Sequence, residues 1–157
     1  MNAELALLAV KLGLDDVDHE LERLRFGLAC ANHVRHLLED EGAIATLVVL
    51  ANFVDDKADR VSLHQAREQV ALIASGHQGS RSMEGAAHAA VSATHAVAHA
   101  LAGRALQAAS YSAYASVYAY SAHAVSDPSA YAVEFAWQIE QLQSIMGSQP
   151  LPRSLPP

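Results

Sequence analysis

Residues 83–125 read MEGAAHAAVSATHAVAHALAGRALQAASYSAYASVYAYSAHAV, and this stretch decides the fold. Between Gly85 and Ser126 it holds one formally charged residue, Arg104, and Gly103 divides it into two alanine-rich halves, roughly Met83 to Ala102 and Arg104 to Val125. The Ala-x-x-x-small spacing in both halves reads as two helices joined by a glycine bend and packed as a hairpin through small side chains. Helix axes that meet through Ala, Ser and Gly approach more closely than Leu-lined ones, and backbone dispersion contacts replace bulky interlocking. Such a seam is sensitive to size, so Ala93→Leu is expected to overpack it at a cost of about 1–3 kcal/mol. Each half has the length of a membrane span, but Ala, Ser, Tyr, His and Gln stand where Leu, Ile and Phe would be needed. Burial within a folded protein is the reading that fits.

Working outward, helical punctuation is plentiful and strand signals are almost absent. A short helix from Ala3 to Lys11 is expected to end at Gly13, and Asp15 or Asp16 to cap a longer one reaching about Asp40, before Gly42. Leu21, Leu24, Leu28, Val34, Leu37 and Leu38 give that helix an apolar stripe. The segment AIATLVVLANFV is apolar nearly all round and emerges into Asp55, Asp56, Lys57 and Asp59. Ser62 and Gln65 form a capping-box pattern for a helix running to Gly76, followed by a loop at residues 76–82. Asp127-Pro128 opens a last helix that Gly147 closes. The expectation is an all-α bundle of about six helices around the alanine-rich hairpin. One domain spans residues 1–147, and residues 148–157 form a proline-rich tail.

The whole chain, 157 residues with 52% hydrophobic and 17% charged side chains, is long enough to bury a core without disulfides or a structural metal. Its one cysteine, Cys30, sits beside Leu28 and Ala29 and reads as a small buried hydrophobe in a reducing compartment. The N-terminal run has Glu4 early, no basic leader and no small-residue cleavage site, so the chain reads as mature cytoplasmic protein.

Nine histidines raise a metal hypothesis. His88, His95 and His99, at offsets of seven and four, fall on one helical face, and His123 could join them from the next segment; a divalent ion such as zinc would be the cofactor. Against it, HAVAH lacks the acidic residue of a HExxH motif and no Asp or Glu lies nearby, so the same histidines also read as interior polar groups without a cofactor. Tyr111, Tyr114 and Tyr118 form a stripe that reads as core. A nucleic-acid stacking role is disfavoured, because no basic residues interleave and the formal net charge is −7. His33 and His36 lie one turn apart. No phosphate-cradling glycine loop, GxSxG, CxxC or nucleophile–base pair is present, so no enzyme is read from this sequence.

Most of the acids fall in three groups in the first 84 residues: Asp15, Asp16, Asp18, Glu20 and Glu22; Glu39, Asp40 and Glu41; Asp55, Asp56 and Asp59. The macrodipole favours acids at a helix start, which accounts for the first group, whereas the other two are read as lying at helix C-termini and running against it. They suit either a solvated surface or an acidic face that steers a basic partner.

The segment VSATHAVAHALAGRALQAASYSAYASVYAYSA, residues 91–122, resembles alanine- and histidine-rich immunity proteins of bacterial polymorphic-toxin systems, in which a Thr-His pair, a second His, a Gly/Ala stretch and tyrosines recur. LRFGLACANHVRHLLED (24–40) and HQAREQVALIAS (64–75) are similar to the helix and connector ahead of that region. The resemblance implies an all-helical, non-enzymatic cytoplasmic protein that neutralises a toxin domain by binding it. The resemblance does not locate the binding surface; the charge distribution makes Glu39, Asp40, Glu41, Asp55, Asp56 and Asp59 the expected contacts for a basic protein partner. A metal-binding protein and a homo-oligomer joined through an alanine face stand as alternatives; no nucleic-acid or membrane partner is expected.

Overall fold

The computed structural model describes residues 1–77 and 86–147. Among them are seven α-helices and no strand: α1 Ala3–Lys11, α2 Glu20–His33, α3 Glu41–Val54, α4 Arg60–Gly76, α5 Ala86–Leu101, α6 Ala105–Tyr120 and α7 Ala132–Gly147. Short 3-10 turns occupy Val17–His19, Arg35–Leu37, Ala124–Ser126 and Pro128–Tyr131. The expected proline-rich tail, and all but the first two residues of the loop expected at 76–82, lie outside the described residues. No described helix is long and apolar enough to cross a membrane.

The alanine-rich hairpin is α5 and α6. Its bend is a Schellman ending: Gly103 takes φ +74°, its amide donates to Ala100 O at 3.1 Å, and the Arg104 amide donates to His99 O at 2.9 Å. The seam is fully buried, with Ala93, Ala96, Ala100, Ala108 and Ala115 all at 0% exposure, so these small faces are consumed inside the chain. α2 crosses the hairpin at close range: a Cβ on Gly27 would stand 3.0 Å from Ala100 Cα, tighter than most real Cβ contacts. Beside it, Ser112 Oγ on α6 donates to the carbonyl of Cys30 on α2 at 2.8 Å.

Two apolar clusters flank this crossing. Leu24, Ala31 and Val34 from the α2 region meet Leu47 and Leu50 of α3, Leu63 and Val70 of α4, and the α5 alanines. On the other side Phe26 and Cys30 of α2 meet Leu5 and Ala9 of α1, Ala105 and Ala109 of α6, and Leu142 of α7. Buried Gln138 ties this half together. Its Nε2 donates to Ala109 O at 2.8 Å and its Oε1 accepts from Asn2 Nδ2 at 3.2 Å, while Asn2 Oδ1 caps α1 through the Leu5 amide.

Several boundaries differ from the sequence reading. The long second helix stops at His33: Val34 takes φ −115°, ψ 13°, Arg35–Leu37 tighten into a 3-10 turn, and Leu38 is already extended before Asp40 caps α3. Val34 and Leu38 stay buried across the break, which is why the apolar stripe looked continuous. Neither Asp15 nor Asp16 caps α2, which starts at Glu20. Asp16 instead flanks a 3-10 turn without a side-chain cap, and Arg23 Nη1 holds that turn through Leu14 O and Asp16 O, each at 2.7 Å. At α4 the cap is Asp59, whose carboxylate accepts from the Ser62 amide at 2.8 Å, in place of a Ser62–Gln65 box. α6 stops at Tyr120, where Ser121 turns extended. Asp127-Pro128 opens a 3-10 turn that leads into α7.

Candidate functional site

The two acidic groups expected to act together are separated by α3 itself. Glu39 and Asp40 precede its first turn, Glu41 begins it and Asp55 follows its last, and fourteen residues of helix put the two groups about 20 Å apart. The first of these groups also has a structural duty. Asp40 Oδ1 accepts from the amides of Gly42 at 2.7 Å and Ala43 at 3.1 Å, so it sits at a helix N-terminus, where a carboxylate is favoured, and is no anomaly. Glu39 is exposed beside His36, Tyr118 and Tyr120.

For Asp55 and Asp56 the anomaly stands. Asp55 is the C-cap of α3, and Asp56 takes φ +60° in a second Schellman ending, with its own amide donating to Phe53 O and that of Lys57 to Asn52 O. Both are exposed. The fold brings this pair to the start of α2: Glu20, Leu21, Leu24, Phe53, Val54, Asp56 and Arg60 line one hollow of about 300 Å³. Residues 15–20 and 55–60 together carry seven acids and two bases. Arg60 is bound to Glu20 by two bonds of 2.9 and 2.8 Å, which lower the Glu20 pKa. The Ser62 bonds lower that of Asp59. The remaining carboxylates, Asp15, Asp16, Asp18, Asp55 and Asp56, are exposed and make no ion pair among the described residues. Glu22 does not join them; it is buried, with Oε2 sealed from solvent.

The histidines of α5 meet tyrosines. His95 and His99 each lie 5.1 Å from the Tyr111 ring, nearly parallel to it, and His88 lies 5.2 Å from Tyr118. This ladder is the antiparallel register of the hairpin expressed in side chains. Burial lowers the pKa of His95, with His77 adding to the effect, and that of His99, with Arg104 and His95 adding. His123 sits in the turn after α6, apart from this ladder. Among the described residues no group of three or more His, Cys, Asp or Glu could hold a metal ion. The tyrosine stripe is not core. Tyr111 is 37% exposed, Tyr114 and Tyr118 are half-buried, and the alanines of α6 fill the interior.

Sequence reasoning missed a polar cluster between α2, α6 and α7. Glu134 Oε1 accepts from Ser116 Oγ at 2.8 Å, and Glu134 Oε2 lies 2.9 Å from His33 Nε2. His33 stacks on Trp137 with ring centroids 4.0 Å apart. Partners a hundred residues apart leave no local signal. Nearby Cys30 is wholly buried, and desolvation first, then the Glu134 charge, pushes its thiol well up, so it is an inert thiol as the sequence suggested. No protein-family model matches the chain, and no curated protein or solved structure shows significant similarity to it.

Proposed function

We propose that this chain is a non-enzymatic binding protein that acts in the cytoplasm and inhibits a basic protein, of the kind a toxin domain would present, by direct contact. The observation that carries this reading is the docking of the α2 start on the turn between α3 and α4, where Glu20 pairs with Arg60 beside Asp56. Asp55 and Asp56 are exposed there, Asp15, Asp16 and Asp18 are exposed on the segment leading into α2, and none of these five makes an ion pair among the described residues. Such a field steers a cationic partner to one end of the molecule, and the contact weakens as salt screens it. The contact surface is therefore revised from the sequence reading: Asp55 and Asp56 stay, Asp15, Asp16 and Asp18 join them, Asp59 serves α4 as its cap, and Glu39 to Glu41 fall at the far end.

The experiment is capture of partners from the native cells at low and moderate salt, followed by association kinetics of the captured basic protein. Asp18→Lys with Asp55→Lys is expected to slow association at least tenfold, and Glu39→Lys to leave it within twofold. Loss of binding on Glu39→Lys with none on the double reversal would overturn the placement. Retention of no stoichiometric basic protein, from cells shown to express one that the chain is encoded beside, would overturn the reading itself.

A further inference from the structure

An aromatic cleft lies away from the acidic end. A cleft of about 560 Å³ opens between α5 and α6, the turns that follow α6 and the start of α7, lined by aromatic Tyr111, Tyr114, Tyr131 and Phe135 over Ser92 and Ser110. That volume falls within the roughly 300–1,000 Å³ typical of small-molecule sites. No charged side chain lines it, and Met1, the lining residue that carries the chain's amino group, is 91% exposed and so already solvated. A charged ligand would lose its hydration there without gaining a side-chain counter-charge, so the chemistry favours a neutral one.

The second observation is Ser92. Buried neutral polar side chains here are otherwise hydrogen-bonded: Thr46 to Ala43 O, Thr94 to Ala90 O, Ser112 to Cys30 O, Gln138 to Ala109 O, and Asn2 to Gln138. Ser92 is 8% exposed and lines the cleft, yet its hydroxyl has no hydrogen-bond partner among the described residues. Thr94, two residues on, bonds back to its own helix, and Ser92 does not. An unpaired hydroxyl that stays within reach of solvent at the wall of an aromatic cleft is a group placed to meet a ligand. The Tyr131 hydroxyl is already committed, donating to Val125 O at 3.1 Å, so that ring offers its face.

We infer that this cleft binds a neutral, flat aromatic molecule carrying one hydrogen-bonding oxygen. Its ring lies among Tyr111, Tyr114, Tyr131 and Phe135 in offset-stacked or edge-on contact, and its oxygen meets the Ser92 hydroxyl. The site is independent of the acidic end and holds whether or not a protein partner docks there.

The test is calorimetric titration of the full chain at pH 7 with 2-naphthol, and with naphthalene, 2-naphthalenesulfonate and 2-naphthyltrimethylammonium for comparison. Saturable one-to-one binding of 2-naphthol is expected. Ser92→Ala should weaken it about five- to tenfold and leave naphthalene within twofold, since only the hydroxyl contact is removed. Ser126→Trp, at an exposed lining position, should abolish binding of both while the melting curve stays native. The proposal is overturned by absence of saturable 2-naphthol binding. It is equally overturned by binding that a native-melting Ser126→Trp leaves intact, by an equal effect of Ser92→Ala on naphthol and naphthalene, or by tighter binding of either charged analogue.

Discussion

Asp56 occupies a backbone position that glycine fills at the other two Schellman endings, Gly13 at φ +67° and Gly103 at φ +74°. A side chain there meets the carbonyl crowding that disfavours left-handed backbone, and Asp tolerates it better than most residues without escaping it. Asp56→Gly is therefore expected to raise stability by about 0.5–1 kcal/mol, read as a higher urea midpoint at unchanged slope. An unchanged or lower midpoint would mean that the carboxylate gives back locally what the backbone loses. If the acidic end docks a partner, the same variant binds it more weakly. His33 poses the opposite case. His33→Ala removes the stack on Trp137 and the imidazole that lies 2.9 Å from the solvent-sealed Glu134 Oε2, so about 1 kcal/mol should be lost. A urea midpoint within experimental error of the parent chain would remove the cluster from the list of things that hold α7 to α2.

Among the elements, the seam between α2, α5 and α6 makes the clearest quantitative demand. Ala93 is wholly buried in the larger cluster, so Ala93→Leu must push helices apart or force strained rotamers, at about 1–3 kcal/mol. Gly27→Ala is the sharper test. Helix propensity alone favours alanine by about 1 kcal/mol, but the added methyl would press on the Ala100 backbone at 3.0 Å, which cannot swing aside as a side chain could. Net destabilisation of Gly27→Ala is expected in thermal melts; stabilisation would mean that the α2–α5 crossing is looser than this. These elements were legible in the sequence because their signals are local: Gly103 marks the bend, Gly13 ends α1, and alanine spacing marks the seam. The break after His33 was not, since Val34 and Leu38 keep helical spacing across the turn and both stay buried. Candidate sites were less legible for the same reason. The histidine face was correctly read as one face, but its partner, Tyr111, depends on hairpin register. The acidic groups were visible as groups, while which of them meet is a matter of helix packing.

At the scale of the whole molecule, pH tests how these sites contribute together. In the folded chain the pKa values of His95 and His99 are lowered, chiefly by burial, so the unfolded chain, titrating near 6.5, takes up protons first as pH falls. Their contribution is fully present above about pH 6.5 and is lost as pH falls through the lowered folded values. Glu20, Asp59 and Asp127 also have lowered folded pKa values, through Arg60, Ser62 and Ser129 respectively, and their contribution is lost in turn below about pH 4. Protonation also relieves repulsion in a chain of net charge −7, which works the other way at the acidic end. The two effects separate in a variant carrying His95→Gln and His99→Gln, which keeps the acids and removes the imidazoles. Between pH 7 and 5.5 the urea midpoint of the parent chain should fall relative to that of the variant, and the gap between them should be constant above pH 7. A parent midpoint that instead rises relative to the variant over that interval would mean that the Tyr111 face holds imidazolium better than imidazole, making cation–π attraction stronger than the burial cost at this site.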